Sequence, residues 1–339
     1  MNEELLRLLT LLGVEGLARP DAWQRVVMVL NDGRVPARDG VPPVGFKLLL
    51  LDDAGRPEWF ARCSWTTRAE MLRETTVLET LTHDALCRQH IPEVRTAHTD
   101  RIFVQLTRHL GVQSYSGALQ ALGPAAWSRD VEEIVTLTRA MMERAAGLLP
   151  ALRTQRSVED RQRAIAADLA RVEGAGLDTT ALMALREALE TVRDLPFHLQ
   201  HGDLWPGNVL RQHDRWWIID FAECGVVWVP LYDTLHMLHM APKAAQQLWY
   251  AAPDAPADAW TTARRTLAHR TAAARGLDAR QLGACLVFYL MHLCAYRLRP
   301  GVPRQWSAPL LQVLERVGAA LAAGLPLEAL IPAPDAQRP

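Results

Sequence analysis

Lysine is almost missing from this chain of 339 residues: of its 37 basic residues, only Lys47 and Lys243 are not arginine. That bias reads as the signature of a GC-rich genome, and it leaves few candidates wherever chemistry asks for a primary ammonium. Cysteine is scarce as well. Cys63, Cys87, Cys224, Cys285 and Cys294 are scattered without C-x-x-C or Cys/His ligand spacing, so neither a disulfide framework nor a zinc site is indicated, and a reducing cytoplasm fits best. The formal net charge is only -1, so nothing in the overall balance calls for a nucleic-acid backbone or an anionic membrane as partner. No apolar run approaches the roughly 18 residues of a membrane span. The first twenty residues, MNEELLRLLTLLGVEGLARP, have no cationic stretch ahead of their apolar part, and Glu3, Glu4 and Arg7 precede or interrupt it. They read as an amphipathic helix rather than a secretion signal. Internal repeats and low-complexity linkers are also lacking.

What remains is enough chain for two packed units at roughly 150 residues each. Residues 23–64 are β-rich: WQRVVMVL, a Gly/Pro-rich stretch NDGRVPARDGVPPVG, then FKLLLLDDAGRPEWFARCS, in which DDAGRP turns between two strands. From Thr66 to about Thr82 the apolar residues Met71, Leu72, Val77, Leu78 and Leu81 recur at helical spacing. IPEV and RIFVQLTRHLG add strand-like runs ending near Gly111. Beyond that point helices are predicted over 129–149, 157–173, 178–193, from about 230, and over 241–251, 255–275, 278–298 and 304–323. One interruption stands out, where VLRQ and RWWIID flank the turn QHDR. A small antiparallel sheet with one long helix, followed by a larger helical body, is a two-lobed α+β pattern. The expected divisions are an N-terminal helix (1–22), a first lobe (23–111), a helical second lobe (112–331) and a tail (332–339).

Chemistry concentrates at that interruption. In HGDLWPGNVL (201–210), Asp203 follows Gly202 and precedes the loop LWPG, so its carboxylate is held on a turn, where it can accept a proton from a hydroxyl. Asn208 and Asp220 are hard oxygen ligands on either side of the hairpin, of the kind that holds Mg²⁺ against nucleotide phosphates. Together the three describe phosphoryl transfer.

The spacing H-G-D-x-x-x-x-N matches the kinase catalytic-loop pattern H-R-D-x-x-x-x-N with Gly202 in place of arginine, and IIDF echoes D-F-G. With PLYDTLHM downstream, the chain resembles the aminoglycoside phosphotransferase and choline kinase family, the small-molecule branch of the protein-kinase-like fold. The resemblance implies a nucleotide-binding N-lobe and a C-lobe with the catalytic loop and acceptor site. It implies Asp203 as catalytic base, Asn208 and Asp220 as Mg²⁺ ligands, and Asp233 as a buried brace of the loop. His201 is expected to hold the loop by hydrogen bonding. In the N-lobe, Arg62 stands where family members carry a phosphate-binding lysine, with Glu74 at the partner position; Lys47 on the preceding strand is the second candidate. The segment 31–45 occupies the place of a phosphate-covering loop without a G-x-G-x-x-G fingerprint, and the hinge from Thr107 to Leu110 would meet the purine of ATP or GTP. Trp205 and Glu223 fall beside the transferred phosphate and are candidate substrate contacts.

The implied activity is transfer of a γ-phosphate to a hydroxyl of a small molecule: a sugar, aminosugar, amino alcohol or antibiotic. From residue 241 onward acids are sparse and arginines outnumber them, which weighs against a polycationic acceptor. The alternative is a catalytically silent kinase-like module that binds a nucleotide or partner, favoured by the missing third-strand lysine and glycine fingerprint. A protein kinase is disfavoured, because both the loop arginine and an A-P-E segment are lacking.

Overall fold

The computed structural model describes residues 3–13, 26–29, 45–65, 69–119, 121–148, 157–240, 249–250, 258–299 and 304–333. They form two compact units: Met1–Ser114 with Val209–Ala222, and Tyr115–Asn208 with Glu223–Pro339. The expected phosphate-covering segment, most of the helix expected over 241–251 and most of the tail lie outside the described residues.

The first unit is built on an antiparallel sheet of β1 (Val26–Val29), β2 (Gly45–Leu51), β3 (Pro57–Ser64), β4 (Val94–His98) and β5 (Phe103–Arg108), in the order β1-β2-β3-β5-β4. Its two faces follow from strict alternation, since successive side chains leave a strand on opposite sides. Trp59, Ala61 and Cys63 of β3 join Leu48, Leu50, Val104 and Leu106 in one buried face. Helix α1 (Glu3–Leu11) lays Leu5, Leu8 and Leu9 onto that face, so the N-terminal helix is part of this unit's core. Each such side chain contributes about 1.5–3 kcal/mol on burial. The other face carries the polar positions: Lys47, Arg62 and Gln105 pair directly across β2, β3 and β5. The β2–β3 turn is closed by Asp52, whose Oδ1 accepts the N–H groups of Ala54 and Arg56, both at 2.9 Å. Helix α2 (Ala69–His83) follows the sheet.

The hairpin of β6 (Val209–Gln212) and β7 (Arg215–Ile218) belongs to this unit although the chain reaches it a hundred residues later. Ile218 N–H donates to the His90 carbonyl at 2.8 Å, and Gln212 Nε2 donates to the Leu110 carbonyl at 2.9 Å. Those bonds satisfy edge groups that a lone two-stranded hairpin would leave to water.

The second unit is helical: α3 (Tyr115–Leu119), α4 (Pro124–Leu148), α5 (Val158–Gly174), α6 (Thr179–Arg193), α7 (Tyr232–His239), α8 (Ala259–Ala273), α9 (Ala279–Arg297) and α10 (Ala308–Ala322). Helix α4 starts five residues before the apolar pattern predicts, because Pro124 suits a first helical position whose N–H would be unpaired anyway. Asp178, Asp258 and Asp278 cap α6, α8 and α9 through backbone N–H groups, and Ser157 with Asp160 forms a reciprocal box at α5. Helix α9 is apolar on every side, with Leu282, Leu286, Phe288, Tyr289 and Leu293 all buried. A helix of that composition becomes the axis around which others pack, and α5, α6, α7, α8 and α10 surround it. Among the described residues no helix is long and apolar enough to cross a membrane.

Candidate active site

The loop carrying Asp203 lies in the second unit and is tied to the first turn of α7. Both carboxylate oxygens of Asp233 accept loop N–H groups: His201 donates to Oδ2 at 2.7 Å and Gly202 to Oδ1 at 2.9 Å. Asp233 N–H in turn donates to Gln200 Oε1 at 3.2 Å. Complete burial pushes the Asp233 carboxyl above the usual range, while His201 and the two N–H donors pull the other way. Gly202 has φ +87°, and a Cβ there would collide with the backbone carbonyl of Glu223. The arginine of the protein-kinase motif is therefore sterically excluded at this position. His201 is fully buried, and its Nδ1 accepts the Asp203 N–H at 3.3 Å.

Asp203 is thus presented on a braced turn, with 40% of its side chain exposed. Asn208 is buried and sends its amide N–H groups back to Asp203, one to the backbone carbonyl and one to Oδ2, both at 2.9 Å. Since the amide nitrogen is engaged, the amide oxygen is the atom left to meet a cation. On the opposite side of the carboxylate, His236 Nε2 lies 3.2 Å from Asp203 Oδ1. Trp205 folds over its own loop: a Cβ on Gly207 would occupy the space of the Trp205 ring.

The first unit holds the other sequence-derived candidates. Arg62 Nη1 forms a 2.8 Å ion pair with Glu74 Oε2, the arginine about a quarter exposed and the glutamate 3% exposed. Burial raises the Glu74 carboxyl, Arg62 lowers it, and the nearby charge of Asp220 raises it further. Lys47, directly opposite Arg62 on β2, holds its ammonium 5.7 Å from the centre of the Phe60 ring. Thr107 lies inside β5, paired with Phe60 on one side and Val94 on the other; the strand ends only at Arg108. Asp220 is exposed and adopts the left-handed conformation with φ +65°. Such a backbone costs about 1 kcal/mol or more for a residue with a side chain, and aspartate tolerates it better than most. Two residues on, Arg73 Nη2 of α2 donates to the Ala222 carbonyl at 2.7 Å.

Comparison with known proteins decides what this arrangement belongs to. Residues 48–268 match the model of the phosphotransferase enzyme family. The chain belongs to that family. In structure it is similar to an ethanolamine kinase of Plasmodium vivax (10% identity, TM-score 0.55, covering 94% of this chain and 89% of the other). It is also similar to a choline/ethanolamine kinase family protein of Mesorhizobium loti (16%, 0.52, 95% and 99%) and to APH(2")-IIa in its gentamicin complex (12%, 0.53, 98% and 99%). At those identities the likeness shows the two-lobed kinase-like α+β fold. No curated protein matches the sequence.

Sequence reading missed three residues that the structure bonds to the candidate segments, each within its own unit: His236 and Tyr289 behind Asp203, and Arg73 beside the stretch that follows Asp220. His236 carried a usable signal: it lies three positions after Asp233, so both leave one face of α7. Arg73 adjoins Glu74, yet nothing in the pattern says that it reaches the carbonyl of residue 222. Tyr289 lies in the middle of an all-apolar helix and its hydroxyl bonds to His236 Nδ1 at 3.1 Å, a contact with no trace in spacing.

Proposed function

We propose that this phosphotransferase moves the terminal phosphoryl group of ATP or GTP to a hydroxyl of a small molecule, with Asp203 as base. The acceptor oxygen bonds to the terminal phosphorus as the bond from phosphorus to the bridging oxygen breaks; the electron pair leaves with the nucleoside diphosphate, and the hydroxyl proton passes to Asp203. The observation that carries the reading is the Asp203 carboxylate itself, part-exposed and held by hydrogen bonds on a loop whose N–H groups are locked onto buried Asp233. A base must be fixed relative to the proton it takes, and bonds that hold the Asp203 carboxylate in place support that role.

The residues fit Mg²⁺. Asn208 offers an amide oxygen and Asp220 an exposed carboxylate on a strained backbone. Among the described residues no group of three His, Cys, Asp or Glu side chains could hold a metal alone. Mg²⁺ characteristically takes one or two protein ligands and completes its shell with phosphates and water. Bound there, it would neutralise charge on the phosphates. Arg62, or Lys47 beside it, would meet the same phosphates, while Glu74 orients Arg62.

The kinase and gentamicin neighbours keep amino alcohols and aminosugars among the acceptors to test, along with neutral sugars. Replacing Asp203 by alanine tests the reading directly. Turnover of the magnesium nucleotide should fall by about 10²–10⁴-fold, while calorimetry still detects nucleotide binding. Undiminished turnover would remove Asp203 from the reaction, and a screen of hydroxylated metabolites with labelled nucleotide would name the acceptor.

A further inference from the structure

The Asp203 carboxylate is gripped from two sides. Asn208 Nδ2 donates to Oδ2 at 2.9 Å, and His236 Nε2 lies 3.2 Å from Oδ1. An ionised carboxylate has no hydrogen to give, so the hydrogen of the second contact belongs to Nε2. Behind the imidazole, Nδ1 meets the Tyr289 hydroxyl at 3.1 Å. His236 is 3% exposed and Tyr289 fully buried, so solvent does not compete for the contact between them and reaches the other only from the Asp203 end. The ring is also confined laterally, stacked on Tyr232 with centroids 6.1 Å apart and meeting the edge of Tyr289 at 5.8 Å. Helix α7 therefore carries two supports of one loop: Asp233 takes its N–H groups, and His236, one turn later, holds its carboxylate.

We propose that His236 is a positioning residue of the phosphotransfer reaction, its Nε2–H fixing the rotation of the Asp203 carboxylate, with Tyr289 holding the imidazole in the donating orientation. The inference rests on Asp203 as base. Rotation about the last bond of an aspartate is broad and roughly two-fold, and the Asn208 amide alone anchors only one of its oxygens. With a donor on each oxygen, rotation of the carboxylate is restricted and its remaining lone pairs are held in fixed directions. Positioning of this kind is a large factor in rate, since a displacement of about 1 Å can cost about 10²-fold.

The test uses the full chain with His236→Leu, His236→Gln and Tyr289→Phe, beside Asp203→Ala. The Gln amide nitrogen can stand where Nε2 stands, whereas Leu fills the space without a donor. Four quantities are read: kcat and KM for Mg-ATP hydrolysis, the melting temperature, and the ¹⁵N–¹H spectrum of histidine-labelled protein. The Leu variant should lose about 10²-fold in kcat with KM for Mg-ATP unchanged, the Gln variant should recover about tenfold of that loss, and Tyr289→Phe should lose less than tenfold. The spectrum should place a hydrogen on His236 Nε2 and show its signal move in Asp203→Ala. Equal kcat for the Leu and Gln variants, or a His236 ring without hydrogen on Nε2, overturns the proposal. Because the spectrum needs no turnover, it decides the contact even if hydrolysis is slow. Wild-type turnover in Asp203→Ala would instead sink the base reading, which the spectrum leaves separate.

Discussion

The two units treat charge in opposite ways. In the helical unit the carboxylate of Asp203 is held by N–H donors from Asn208 and His236, and among the described residues no arginine or lysine forms an ion pair with it. In the sheet unit the candidate cation is already engaged, Arg62 with buried Glu74 at 2.8 Å. A base needs its charge uncancelled and its geometry fixed, which hydrogen bonds achieve without a salt bridge. A phosphate-binding cation can share its charge, because a guanidinium has five N–H donors and the contact with Glu74 uses few of them.

That contrast can be broken in several places. The largest effect is expected at Gly202, where alanine would meet both a left-handed backbone and the Glu223 carbonyl. The combination should cost about 3–4 kcal/mol, seen as a lowered urea midpoint and a loss of turnover with the loop displaced from Asp233. Next comes acid sensitivity of the helical unit. Burial, with the charges of His236, Arg264 and Arg297, depresses His239 to about 4, and Tyr250 Oη lies 3.4 Å from its Nδ1. A histidine with a folded value below its unfolded 6.5 takes up its proton first in the unfolded chain, so stability is intact above about pH 6.5 and falls as the pH approaches about 4. The loss from this group is about 3 kcal/mol. Denaturation curves at pH 7.5 and 5 should converge for His239→Gln relative to the parent; an unchanged pH slope would refute the assignment.

The smallest effects sharpen the sheet side. Arg62→Ala leaves Glu74 buried beside Asp220 and should destabilise by about 2–3 kcal/mol. Glu74→Gln should cost no more than about 1 kcal/mol, since the Gln amide oxygen can still accept from Arg62, which is about a quarter exposed. Arg62→Lys keeps the charge and should weaken Mg-ATP binding by less than tenfold in calorimetry. A larger loss would show that the guanidinium fork itself holds phosphate.

The sequence resolved these regions unevenly for a physical reason. The DDAGRP turn, the capped helices α5 and α6 and the hairpin are local, set by residues within a few positions, and each is where the pattern puts it. The motif 201–208 was legible because its spacing is itself the geometry of one short loop. The end of β5 shows the limit. The strand-like run expected to end near Gly111 closes as β5 at Arg108, and where it closes is set by distant partners, Arg108 N–H bonding to the Glu93 carbonyl at 2.8 Å and His109 N–H to the Glu58 carbonyl at 2.9 Å. The fate of α1 was equally hidden. Its amphipathic stripe says that Leu5, Leu8 and Leu9 need cover, and only the folded sheet says what covers them.

By itself, then, the sequence determined the order of elements, the fold class and the chemical identity of the loop, since turns, caps and periodicity act over a few residues. Tertiary structure alone decided that β6–β7 joins the sheet unit and that His236 and Tyr289 stand behind Asp203. Those are contacts between residues far apart in the chain, 33 positions for His236 and Asp203 and 102 for Gln212 and Leu110. Which distant donor reaches which acceptor depends on how helices and strands pack, and no local propensity encodes that.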